Sequence, residues 1–198
     1  VIFLFTLFTS GGLVEAKTDK KNSAATTSVA PKKWAVIDGF RSAKFGMNEK
    51  KVMRAIVKDF KISKSKVKRN VHPTEKTVNI SVTVPKLMAA GGTANVVYIL
   101  GHKSRRLMQV NILWGLGLTK NADGEEVVAA ANLLRGHFMK KKYKKDTLAA
   151  NAKMNDTQII VFRGRDEKNR MILLVMTTPK GKKGENAKEA AKKISLTL

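Results

Sequence analysis

The chain has 198 residues, enough for one domain or for two small halves that share a core. Hydrophobic residues make up 43% and charged residues 27%, which is the balance of a folded protein. It contains no cysteine, which excludes from this sequence disulfides, thiolate zinc sites, cysteine nucleophiles and a lipid-modified cysteine.

The charge is strongly basic, with 39 Lys and Arg against 15 Asp and Glu, a net +24. Such a chain is attracted to polyanions: nucleic acid, anionic lipid headgroups or acidic glycans. The plainer reading is a solubilising surface, because the lysines are spread along the whole chain.

Residues 1–9, VIFLFTLFT, are almost all apolar. The run is shorter than the roughly 20 residues needed to span a bilayer. Val14-Glu15-Ala16 then places Val at −3 and Ala at −1 of an expected signal-peptidase cut. Residues 1–16 are therefore expected to be a signal peptide, although no Met and no basic segment precede the apolar run. The competing reading is a buried strand or an uncleaved anchor. Residues 17–33 are Lys, Ser, Thr and Ala with one Pro and read as a flexible linker.

The folded part is expected to begin at Trp34, with a first half over 34–115 and a second over 116–198. Asn48 is a candidate N-cap, and Val52, Ile56, Val57 and Phe60 fall on one face of the helix that follows. Ile62 to Arg69 is a basic segment that reads as a short helix or a loop. Lys76 to Val84 alternates, with Val78, Ile80, Val82 and Val84 on one side, and ends at Pro85. Gly91-Gly92 fits neither GxGxxG nor GxxxxGK[ST], so it is not a phosphate cradle. Strands are expected over Asn95 to Leu100 and Leu107 to Trp114, completing a three-stranded meander.

Asp123 or Gly124 is expected to cap a second helix, with Val127, Ala131, Leu134 and Phe138 on its apolar face. Strands follow over Gln158 to Arg163 and Met171 to Thr177. A Lys/Gly-rich linker over Pro179 to Gly184 leads to a short Ala/Lys helix, and Ile194 to Leu198 alternates like a last strand. The expected fold class is α+β: two helix-plus-antiparallel-meander halves in tandem, with the helices on one face of the sheet.

Two hairpins support the tandem reading. Val97 to Val110 and Ile160 to Leu174 both run strand, Gly, charged turn, Arg, strand. From helix start to turn Gly the spacing is 53 residues (Asn48 to Gly101) in one half and 40 (Gly124 to Gly164) in the other. The strand at Lys76 to Val84 accounts for much of the difference.

Phe45-Gly46-Met47, with Val52 five residues on, opens the first helix and precedes a meander behind an export-like leader. This resembles the small periplasmic modules of the SmpA/OmlA type, which share the β-lactamase-inhibitor-protein-like architecture. The resemblance covers roughly residues 40–114 and more loosely 124–177. It implies a binding or assembly-factor role in the cell envelope, without catalysis. The missing cysteine departs from the lipoprotein members and implies no lipid anchor.

His72, His102 and His137 are far apart, with no acidic or His partner at a metal-ligand spacing. HExxH, GxSxG and DxD are absent, and no cofactor is expected. The expectation is a non-catalytic binding or scaffold protein of the periplasm or cell envelope, peripheral to the membrane. Its candidate anion-binding residues are Lys64, Lys66, Lys68, Arg69, Arg105, Arg106, Lys140, Lys141, Lys142, Lys144 and Lys145. The partner would be a lipid headgroup, an acidic glycan or an acidic protein. The alternatives are an intracellular, non-specific nucleic-acid binder and an enzyme with a dispersed site. Tyr98 and Phe162, the aromatics a sheet could use to stack bases, both sit in apolar runs that read as buried.

Overall fold

A computed structural model describes residues 32–115, 118, 123–178 and 193–198. The expected leader, linker residues 17–31, the Pro179 to Gly184 linker and the Ala/Lys helix after it lie outside the described residues.

The fold starts with a strap, 34–47, that carries a two-residue hairpin, β1 (Gly39–Phe40) and β2 (Ala43–Lys44). Helix α1 (Glu49–Phe60) follows, capped as expected: Asn48 Oδ1 accepts from the Lys51 N–H at 3.0 Å. Val52, Ala55 and Ile56 are its buried face, with Val57 and Phe60 half-buried beside them. A 3-10 turn (Lys64–Lys66) leads into β3 (Lys68–Val71), β4 (Val78–Val84), β5 (Ala94–Leu100) and β6 (Leu107–Gly115).

Helix α2 (Gly124–Met139) is capped by Asp123, whose Oδ1 accepts from the Glu125 N–H at 2.9 Å. A second 3-10 turn (Lys145–Thr147) and four more strands complete the described elements: β7 (Ala149–Lys153), β8 (Gln158–Arg165), β9 (Met171–Thr177) and β10 (Ser195–Thr197). Among the described residues the order helix, 3-10 turn, four strands occurs in each half. The first 3-10 turn falls within the Ile62 to Arg69 segment read as a short helix or loop. The expected three-stranded meander is corrected by β3, which takes Lys68 and Arg69 from the end of that segment and runs on to Val71, and β7 was likewise not foreseen. Both are sheet edges with polar or small side chains, so neither carries the alternation that marks a half-buried strand.

The eight strands β3 to β10 form one antiparallel sheet in the order β3-β4-β5-β6-β10-β9-β8-β7. Strand β10 joins the two meanders, with Leu196 opposite Trp114 on one side and Met176 on the other. The fold class is α+β, and the two described helices lie on one face. On that face Ile80 aligns with Tyr98, and Val82 with Val96 and Ile112. Trp114 and Leu196 lie on the same side, and all of these are buried. Asp59 at the end of α1 lies close enough to the Tyr98 phenol to perturb it, and Ala130 of α2 meets Trp114 around Gly91. Such apolar burial, at about 25 cal/mol per Å², is the main source of stability.

The strap links the two halves. Lys33 and Ala35 bridge to Lys142: the Lys142 N–H donates to the Lys33 carbonyl and the Ala35 N–H to the Lys142 carbonyl, both at 2.9 Å. The fold therefore includes Lys32 and Lys33, which had been placed in the linker. At its other end Gly46 donates to the Leu107 carbonyl and Leu107 to the Met47 carbonyl, each at 2.8 Å. Between them the Ile37 N–H donates to Asp166 Oδ2.

Candidate functional site

The face of the sheet opposite the helices has no described element over it. Its central row runs Thr83, Asn95, Leu113, Thr197, Val175, Ile160 and Ala152, set by strand register. Adjacent rows add Ser81, Val97 and Asn111, then Asn79, Ile99 and Gln109. Amides and hydroxyls alternate with aliphatic groups, because strands with one open face need polar groups there. None of the ten described strands contains Asp or Glu. Lys68, opposite Ser81, stands at one edge of this face. Arg163 and Arg165 stand towards the other, with Arg163 Nε donating to the Thr147 carbonyl at 3.2 Å and Arg165 exposed.

The expected anion-binding residues do not form one patch. Lys64 and Lys66 belong to the first 3-10 turn, and Lys68 and Arg69 to the β3 edge. Register separates even the last two. Lys68 faces the open side, whereas Arg69, opposite Ile80, faces the helices and pairs with Glu49 at 2.7 Å. The hydrogen bond to Glu49 first, then its charge, raises the Arg69 pKa, so this cation already has a partner.

Arg105 and Arg106 form the β5–β6 turn, at the end of the sheet crossed by the strap. Arg106 Nη1 donates to the Gly46 carbonyl at 3.4 Å. Lys140, Lys141, Lys142, Lys144 and Lys145 follow α2 at that same end, in the second half of the fold. Lys142 Nζ lies 4.3 Å from the centre of the Trp34 ring, a cation–π contact. Lys144 Nζ donates to Asn169 Oδ1 at 2.6 Å.

The histidines remain separate. His72 Nδ1 accepts from the Glu75 N–H in the β3–β4 turn, and His102 lies in the β5–β6 turn. His137 meets Phe138 edge-on and lines a mostly apolar cavity. Tyr98 and Phe162 are fully buried on the helix side, as the apolar runs implied.

The polar centre that sequence reading missed is Asp166. Its carboxylate is almost wholly buried, accepts from the N–H groups of Ile37 and Arg170, and pairs with the Arg170 guanidinium at 3.2 Å. Burial by itself pushes this carboxyl up. The backbone donors of Ile37 and Arg170, the Arg170 charge and the Lys168 N–H outweigh it, so the pKa is lowered. The Asp166 to Arg170 turn reads from sequence as an ordinary charged turn, and nothing local marks one of its carboxylates as buried.

No protein-family model, curated protein or solved structure matches this chain. Among the described residues no helix is long and apolar enough to cross a membrane.

Proposed function

We propose that this protein is a non-catalytic binding module of the cell envelope that receives an acidic protein surface on its open sheet face. The observation that carries the reading is the composition of that face: aliphatic groups interleaved with amides and hydroxyls, cations at both flanks and no carboxylate in any described strand. Non-obligate protein interfaces have that mixture of apolar and neutral polar groups. Flanking charge of one sign favours a partner of the other and speeds encounter.

An acidic protein is favoured over a lipid surface because the cations are dispersed. Lys64, Lys66 and Lys68 lie along one edge, while Arg105, Arg106 and the lysines after α2 lie at the strap end. A flat anionic sheet would have to meet both at once. The polybasic composition, the apolar start of the chain and the resemblance of 40–114 to envelope modules support the envelope location. Nucleic acid is less favoured, since no aromatic side chain of the described strands faces the open side to stack on bases.

The test is site-specific photo-crosslinking in cells. A crosslinking residue at exposed Thr83 on the open face is expected to trap one acidic envelope protein. One at exposed Leu133 on α2 is expected to trap none. Replacing Lys68 and Arg165 by Glu should abolish the Thr83 product. Equal products from both positions, or retention on anionic vesicles alone, would remove the reading. An N-terminus at Lys17 in the envelope fraction is the expected result for location.

A further inference from the structure

A cavity of about 540 Å³ lies on the helix side of the sheet, under the strap. Its roof is Trp34, Ile37, Phe40 and Phe45 of the strap. One wall is Leu134 and Phe138 of α2, and the floor is Val110, Ile112 and Ile172 of the central strands. This volume falls within the roughly 300–1,000 Å³ of small-ligand sites, which are mainly apolar with a few convergent polar groups. The sheet here is broader than the two helices cover, and the strap spans the remainder without filling the space beneath it.

The polar side-chain groups at the cavity are all cations or potential donors. His137 and Lys141, four residues apart, are exposed on its rim, and Tyr143 lines it. Among the described residues the Tyr143 phenol oxygen finds no hydrogen-bond partner, although the ring is buried against Phe162. Two carboxylates come near the lining, Asp38 between Ile37 and Gly39, and Asp166, which accepts from the Ile37 N–H, and both are occupied. Asp38 pairs with Lys44 at 3.0 Å and Asp166 with Arg170 at 3.2 Å. The negative end of α2 opposes an anion at this rim. Lys32 Nζ on the Met139 carbonyl, at 2.9 Å, offsets it, as do Lys140, Lys141 and Lys142 beside it.

We infer that this cavity binds an amphiphile with an aliphatic body and a single anionic head, in the manner of a long-chain carboxylate. The chain lies between strap and sheet, and the head meets Lys141 at the mouth with the Tyr143 hydroxyl as a second donor. This site is on the opposite face from the proposed protein-binding surface and stands independently of it.

The test uses the full chain and two probes below their micellar concentrations, sodium dodecanoate and dodecyltrimethylammonium, followed by calorimetry. Dodecanoate is expected to bind with one-to-one stoichiometry, and the cation at least tenfold more weakly. Lys141→Glu, at an exposed position, should weaken dodecanoate about tenfold or more. Leu134→Trp, which fills the cavity, should abolish binding of both probes while the circular dichroism stays native. If Leu134→Trp unfolds, Ile172→Phe serves the same purpose from the floor. Multisite dodecanoate binding, equal affinity for the two probes, or no response to Lys141→Glu would each overturn the assignment.

Discussion

Ile37 and Asp166 are 129 residues apart and are joined by a buried hydrogen bond of 3.1 Å from the Ile37 N–H to Asp166 Oδ2. The same carboxylate also holds Arg170, so one side chain ties the strap to the β8–β9 turn. Replacing Asp166 by Ala leaves a buried N–H without a partner, which costs roughly 1–3 kcal/mol by itself. The expected loss for Asp166→Ala is therefore about 2–3 kcal/mol in urea unfolding, with the m-value unchanged. A loss below about 0.5 kcal/mol would show that the strap is not held there.

The same group sets an acid response. Its pKa is lowered in the fold, so the unfolded state binds more protons as the pH falls. The stabilisation is fully present above the ordinary Asp value of about 3.9. It is lost as the pH drops through the lower folded value. Wild type and Asp166→Asn should thus converge in stability in acid and diverge at neutral pH, as read by thermal melts at each pH. Parallel curves would contradict this.

The two tyrosines respond at the other end of the scale. Burial pushes Tyr143 up to about 12, and burial first, then the Asp59 charge, raises Tyr98 further, against the pull of Arg41. Both hydroxyls should stay neutral in the folded protein near pH 10, where an exposed tyrosine is half-ionised. Stability should decline as pH rises above that point, because only the unfolded chain releases its protons. Absorbance at 295 nm is expected to rise together with loss of circular dichroism. An earlier rise would mean that a tyrosine is accessible to solvent.

Gly91 has φ +94°, a left-handed conformation that side chains rarely adopt. A methyl group there would lie 2.9 Å from both Ala130 Cβ and Trp114 Cδ1, where α2 meets the sheet. Gly91→Ala combines backbone strain with overpacking and should cost roughly 2–4 kcal/mol. Near-UV circular dichroism from Trp114 should change with it. Gly136→Ala is the control, since a methyl group there meets nothing within 4 Å. It should be neutral or stabilising.

Much of the architecture could be read from residue patterns because the patterns have local causes. Asn48 and Asp123 announce their helices through side-chain caps that need only the next three residues. Val78, Ile80 and Val82 announce β4 because one face of that strand is buried. Where both faces are wet, the signal vanishes. Lys68–Val71 and Ala149–Lys153 are strands because a neighbour supplies hydrogen bonds, and no side chain records it. The candidate sites were less legible for a related reason. Lys68 and Arg69 are adjacent in sequence, yet the pleat sends one to the open face and the other to Glu49. Asp166 is surface-like in composition and buried only because the strap crosses above it.

Strand β10 has a consequence for the route to the native state. Each meander closes through contacts between near neighbours in the chain, and such contacts form early. The seam at Trp114 and Leu196 cannot, since one long excursion through α2 and three strands separates its sides. Until that narrow insert is seated, β6 and β9 both present bare edges. Protection from hydrogen exchange of the β6 amides that face the β10 side, such as Ile112, should therefore appear last, and the half-assembled chain carries its greatest risk of pairing with another copy during that interval.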